Sequence, residues 1–200
     1  MDYTLQALNY KELPGLSEKQ LAEHHDVLYA GYVKKTNEIR AALKEVDLTA
    51  ANATFSQLRE LKVEETFAVN GVKLHESYFD SMAATKNVGG SMLAGWIAAD
   101  FGSMENWLAE FAACGLAARG WVVLAFDFKD GRLHNYMNDV HNQGGIWGAM
   151  PLIVLDVYEH AYFLDYATGR KKYIEAFMNN LNFAPADEII KRFELEKFRS

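Results

Sequence analysis

Only one stretch of this 200-residue chain is patterned for β-structure, and it is short. Trp121 to Phe128 (WVVLAFDF) is β-branched and aromatic, Asp130-Gly131 is a hairpin turn signal, and Leu133 to Met137 reads as the returning strand. Pro151 to Leu155 (PLIVL) reads as a third strand. Nearly everything else is patterned for helix, and three prolines in the whole chain favour long helices.

The first helix starts at a capping box, Ser17 to Gln20, after an extended lead-in, and runs to about Val46. Leu21, His24, Leu28, Tyr32, Ile39 and Leu43 recur along it at helical spacing. A shorter helix is expected over 53–61 and another over 65–82, with Phe67, Leu74, Tyr78 and Met82 on its apolar side. Ala84 to Gly90 (ATKNVGG) reads as a linker, which divides the chain into an N-terminal helical domain, 1–84, and a C-terminal domain, 91–200. In the second part Ser103 caps a helix from Met104 to about Ala118, and the strands follow. Helices are then expected over 160–167, 171–181 and 186–198. The fold class is α+β: a helical hairpin domain, then a small three-stranded antiparallel sheet with flanking helices.

Composition excludes several classes of function. Half of the residues are hydrophobic and 24% are charged, enough to bury a core and too ordered for a disordered tail. The net charge is −7 and no basic run exceeds three residues, so a nucleic-acid partner is not expected. No window of 18 apolar residues exists, so no membrane span is expected either. The single cysteine, Cys114, and a start without an apolar signal core make the expected setting cytoplasmic.

Chemistry concentrates in the histidines and one acid. His24 lies on the apolar face of the first helix, and His75 follows Leu74 on another. A polar ring on an apolar face needs a partner. In LDVYEHAYFLDY (155–166), Asp156 ends an apolar strand and His160 follows four residues later. Such an acid is expensive to bury unless it is paired or binds a cation. The spacing leaves two readings open: Asp156 and His160 converge on one metal ion, or Asp156 simply caps the next helix. His24, His75, Asp156 and His160 together would form a three-imidazole, one-carboxylate site suited to iron or manganese. One cysteine excludes an iron–sulfur cluster, and neither a phosphate-binding loop nor a G-x-S-x-G elbow is present.

These residues resemble the iron/manganese superoxide dismutase family over nearly the whole chain. The resemblance rests on HHDVLYAGY (24–32), the His75 helix, DFGSMENWLAEF (100–111), RGWVVL (119–124), LDVYEHAYFLDY and GRKKYIEAFMNNLNF (169–183). It implies metal ligands at His24, His75, Asp156 and His160, holding one iron or manganese ion per chain. It further implies a gateway tyrosine at Tyr32, a site-lining Trp121 and an arginine near the active-site funnel at Arg170. The family also requires a side chain bonded to the metal-bound solvent. Some members supply Gln four residues before the second ligand; here that position is Gly71. Others use a residue before the last strand. His141, fifteen residues before Asp156, has the spacing of the His-using members, with Gln143 as the fallback.

By resemblance the substrate is superoxide, disproportionated by an ion cycling between +2 and +3. The assembly implied is a homodimer or larger, joined through Glu159 and the partner's copy of His160. Departures from the family pattern fall around the ligands: Tyr158 and Phe79 replace tryptophans, Val27 a frequent Lys, and Leu28 and Phe163 a His–Tyr pair. Two other readings are a different mononuclear non-haem iron enzyme and a family member that binds metal without dismutase activity. The third histidine argues against the first; the rewritten surroundings of the ligands are the support for the second.

Overall fold

The computed structural model describes residues 2–200. A helical run opens it: α1 (Glu18–Ala22), a π-helical stretch (Glu23–Tyr29) and α2 (Ala30–Leu43). Then come α3 (Gln57–Asp80), α4 (Met92–Phe101) and α5 (Met104–Ala117). The strands are β1 (Trp121–Asp127), β2 (Arg132–Asn138) and β3 (Ala149–Asp156). A 3-10 turn (Glu159–Ala161), α6 (Phe163–Tyr166), α7 (Arg170–Asn179), α8 (Ala184–Arg192) and a final 3-10 turn (Leu195–Phe198) close the chain. The α+β class expected from the pattern is the one observed.

Serines set the helix starts. The Oγ atoms of Ser17, Ser56, Ser91 and Ser103 accept from the backbone N–H three residues on, at Gln20, Arg59, Ala94 and Asn106. Each such cap is worth about 1 kcal/mol. The box at Ser17 is only half formed, however. The Ser17 N–H is taken by Asp165 Oδ2 at 2.8 Å, and the Gln20 side chain turns elsewhere.

Three expectations about helices need correction. The two helices expected over 53–61 and 65–82 are one continuous α3, because Lys62-Val63-Glu64 contains no breaker. The segment after Gly90, over which no helix is expected, is α4, and Ser91 caps it. The helix expected from His160 starts instead as a 3-10 turn, and Tyr162, at φ −148°, breaks it before α6.

The sheet runs β2-β1-β3, antiparallel throughout. β1 is central and buried from Trp121 to Phe126, which explains its unbroken apolar run. The Asp130-Gly131 signal lies in a four-residue loop, 128–131, with Gly131 at φ +68°. A Cβ there would lie 2.2 Å from the Phe198 carbonyl, so glycine lets the chain end pack on the hairpin. The β1–β3 register shifts between Leu124 and Ala125, beside Pro151, which has no N–H to give the ladder. At the other end the register pairs Trp121 with Asp156.

α2 and α3 pack as a hairpin, and α3 lies also on β3. One hydrophobic cluster joins them, from Leu21 and Tyr29 through Val72 and Tyr78 to Val154 and Phe177. Backbone bonds from Ala83 to Asn180 and from Asn87 to Leu181 tie the segment after α3 to the end of α7. No helix among the described residues is long and apolar enough to cross a membrane.

Candidate metal centre

Four elements bring four side chains to one point. His24 comes from the π-helical stretch, His75 from α3, Asp156 from the end of β3 and His160 from the 3-10 turn that follows. π-helical insertions are rare and concentrate at functional sites. Asp156 Oδ2 lies 3.2 Å from His24 Nε2, 3.7 Å from His75 Nε2 and 3.1 Å from His160 Nε2. All four donor atoms lie within 4.8 Å of one another. His24, His75 and Asp156 are fully buried; His160 keeps 28% of its side chain exposed and forms the open edge.

The hydrogen bonding aims the lone pairs inward. His75 Nδ1 donates to the Gly71 carbonyl at 2.6 Å, which leaves Nε2 unprotonated and free to coordinate. Asp156 Oδ1 accepts from the Tyr158 N–H at 2.9 Å, a local bond two residues on that fixes the carboxylate with Oδ2 toward the rings. Of the two readings open at the sequence level, the cap is not formed, since the turn at Glu159–Ala161 has Tyr158 as its N-cap and no side-chain cap bond, while Oδ2 does lie with the three rings. Tyr173 hydroxyl donates to the Asp156 carbonyl at 2.6 Å; its one proton being used there, the Tyr78 hydroxyl 3.1 Å away donates to it.

Burial drives the His24 and His75 rings toward the neutral form, His75 down to about 3, with the neighbouring His24 adding to the effect. For Asp156 burial works the other way, but the His160 and His24 rings outweigh it and hold the carboxyl well below its usual range. Burial also opposes charge on His160, and there the Asp156 carboxylate prevails, so its pKa is raised. The protein alone thus supplies one ionised carboxylate and two neutral imidazoles. Both nitrogens of His24 and the Nε2 of His75 have no hydrogen-bond partner, although His24 Nε2 is within 3.2 Å of Asp156, because that approach is misaligned. Orphaned buried nitrogens converging on one carboxylate oxygen are costly without a cation between them. Three nitrogens and one oxygen, with no thiolate, fit iron or manganese.

The family model described as "Iron/manganese superoxide dismutases, C-terminal domain" matches residues 89–189. The superoxide dismutase [Fe] of Aquifex aeolicus is 41% identical over 191 residues, 94% of this chain and 88% of the relative. The chain belongs to the iron/manganese superoxide dismutase family. The superoxide dismutase [Mn] 1 of Halobacterium salinarum is 38% identical over 183 residues, 90% of this chain and 88% of the relative. The family thus includes relatives named for either metal.

Around the four residues the structure brings together most of the other family positions. Tyr32 stacks on His75, with ring centres 5.3 Å apart, and meets His141 edge-on at 4.7 Å. Its ring covers Gly71: a Cβ there would lie 2.7 Å from Tyr32 Cδ1. His141 is buried, and its Nδ1 accepts from Trp121 Nε1 at 2.9 Å. Since indole is a donor only, neutral His141 carries its proton on Nε2. Burial pushes the His141 pKa down to about 4. Gln143, by contrast, is exposed. Asn142 Nδ2 donates to Thr66 Oγ1 at 2.8 Å and pins this loop to α3. Trp121 also meets His75 edge-on at 5.0 Å. Arg170 is engaged by the Tyr162 hydroxyl and the Ala118 carbonyl, outside the four converging side chains.

Two of the five altered positions close around the same rings, while Val27, Leu28 and Phe163 are exposed. Tyr158 stacks on His160 at 5.1 Å, and Phe79 meets His24 at 5.2 Å. Sequence reasoning did not find Tyr78 or Tyr173. Tyr78 stands one turn after His75, a readable signal; nothing in the α7 sequence marks Tyr173, which reaches Asp156 only through the packing of α7.

Proposed function

We propose that this chain is a superoxide dismutase whose single iron or manganese ion is held by His24, His75 and His160 through Nε2 and by Asp156 through Oδ2. The observation that carries this reading is the convergence of unpartnered buried imidazole nitrogens on one ionised carboxylate, in a chain of this family. When bound, the ion supplies a centre that alternates between +2 and +3, oxidising one superoxide to dioxygen and reducing a second to hydrogen peroxide. The chain's own residues do the rest. Asp156 offsets part of the ion's charge and leaves a net attraction for an anion. Peroxide needs two protons, which come from solvent; the His141 Nε2–H and the Tyr32 hydroxyl, on that side of the cluster, would organise their transfer by hydrogen bonding. Burial and Asp156 raise the Tyr32 pKa, so its hydroxyl stays protonated. Trp121 keeps His141 in the tautomer that donates from Nε2. Gln143 serves only if His141 does not. Because the whole chain is acidic, attraction of superoxide is local, from the ion and Arg170.

Assembly as a homodimer fits the surface. Glu159 is exposed beside His160, and Val27, Leu28, Phe163 and Leu164 are exposed on the segments that carry His24 and flank His160. Glu159 would accept from the partner's His160, and Leu28 against the partner's Phe163 would form a dry contact. A cytoplasmic setting accords with the lone cysteine. The test is metal analysis of purified protein, then a steady-state superoxide assay after reconstitution with iron and with manganese separately. Protein that binds either ion stoichiometrically and shows no turnover with either refutes the dismutase reading.

A further inference from the structure

His160 and Leu164 stand four residues apart, the spacing at which a helix joins a carbonyl to an N–H. Here they are not joined. Tyr162, at φ −148° and ψ −9°, separates the 3-10 turn from α6 and opens that bond. The side-chain amide of Gln20 fills the gap. Its Nε2 donates to the His160 carbonyl at 2.7 Å, and its Oε1 accepts from the Leu164 N–H at 3.1 Å. A carboxamide from one helix thus replaces a direct helical hydrogen bond in another segment.

Gln20 is 1% exposed, and both ends of its amide are used. It lies one turn before His24 on the same helical run, so a single side chain links the His24 segment to the backbone of His160. The half-formed capping box makes this possible: Asp165, on α6, takes the Ser17 N–H and releases Gln20 from that duty. His160 is the member of the cluster that most needs such a hold. His24 and His75 are fully buried on long helical runs, whereas His160 sits on a three-residue turn at the open edge.

We propose that Gln20 is a positioning residue of the metal centre, wedging the Glu159–Leu164 turn open so that the His160 ring is held against His24. The inference rests on the metal-centre reading above. Without the amide, the His160 carbonyl and Leu164 N–H either close on each other, which moves His160, or stay unpaired, which loosens it. A carboxylate in the same place still accepts from Leu164 but turns an oxygen toward the His160 carbonyl, where a donor is needed.

The experiment compares wild type with Gln20→Leu, Gln20→Glu and Ser17→Ala, each loaded with ferric iron. Ser17→Ala removes the cap of the same helix without touching His160, so it reports what loosening the helix alone does. Two quantities are read: the rate of iron release to a chelator and the ferric electron paramagnetic resonance line shape. Both Gln20 variants are expected to release iron about 10- to 100-fold faster and to change the line shape. Ser17→Ala should match wild type in both. Wild-type release and line shape in a folded Gln20 variant would overturn the role, as would the same changes in Ser17→Ala. If Gln20→Leu does not fold, Gln20→Glu, which keeps the Leu164 bond, decides by the same readouts. Should wild type take up no iron, the metal-centre reading falls and this role with it; should wild type hold iron and the Gln20 variants match it, only the role falls.

Discussion

Gly71→Ala separates the two functions that meet at one glycine. The Gly71 carbonyl accepts from His75 Nδ1, and the space above its Cα holds the Tyr32 ring. Alanine keeps the carbonyl, so the aim of His75 survives. Its methyl, however, would sit 2.7 Å from Tyr32 Cδ1 and 2.9 Å from Cγ, where ordinary contact begins at 3.4 Å. The ring must retreat by about 0.7 Å, the difference between 3.4 and 2.7 Å. It cannot do so freely, since it is packed against His75, His141 and Phe67. In stability, alanine in the middle of α3 gains about 1 kcal/mol in helix propensity. Overpacking costs about 1–3 kcal/mol. The net loss is therefore at most about 2 kcal/mol. Turnover is more sensitive, because an error of about 1 Å at a reacting group costs on the order of a hundredfold. Gly71→Ala should keep its metal, lose little stability and slow dismutation on the order of ten- to a hundredfold. Metal analysis, denaturant unfolding and a steady-state superoxide assay on the same preparation check this. Unchanged turnover would refute the role given to the Tyr32 position; loss of the metal would refute the claim that the backbone alone orients His75.

Other perturbations test the remaining parts. His75→Ala should lose metal affinity by more than about a hundredfold and lose dismutation with it, checked by metal analysis; full activity at full metal content would sink the ligand assignment. His141→Ala should lower turnover by about 100-fold or more while leaving metal content near wild type, and Gln143→Ala should be milder; the reverse order in the superoxide assay would transfer the solvent-bonding role to Gln143. Metal affinity should rise with pH by about one proton's worth and then level off. The His160 pKa is raised, so its proton competes with the ion at low pH and is gone above that pKa, while His24 and His75, with lowered values, are already neutral. A slope of two or three protons in metal titrations near neutral pH would contradict that ordering. Glu159→Ala should weaken both the dimer and metal retention, read by sedimentation and metal analysis; a wild-type monomer at micromolar concentration would refute the pairing.

How far the sequence reaches is clearest where local rules act. The strands, the hairpin and the start of α5 were readable because β-branched and aromatic runs, turn residues and a capping serine act over a few neighbours. The four converging residues were readable too, since buried polar groups in apolar surroundings imply a partner, and LDVYEHAYFLDY carries its own signature. What was not readable depends on contacts between distant segments. Gln20 looks like half of a capping box, and only the arrival of Asp165, 148 residues from Ser17, turns it toward His160. Tyr173 has no local mark and reaches Asp156 only because α7 docks against α5 and α6 in the folded chain. Spacing favoured His141 with Gln143 as the fallback, but it could not say that His141 is buried against Trp121 and Gln143 exposed. Sequence alone determined which groups had to find partners, because burial and helical period act on each segment separately. The tertiary structure alone decided which partners they found, because hydrogen bonds and ring contacts depend on positions to within a fraction of an ångström, and those arise only once the segments pack.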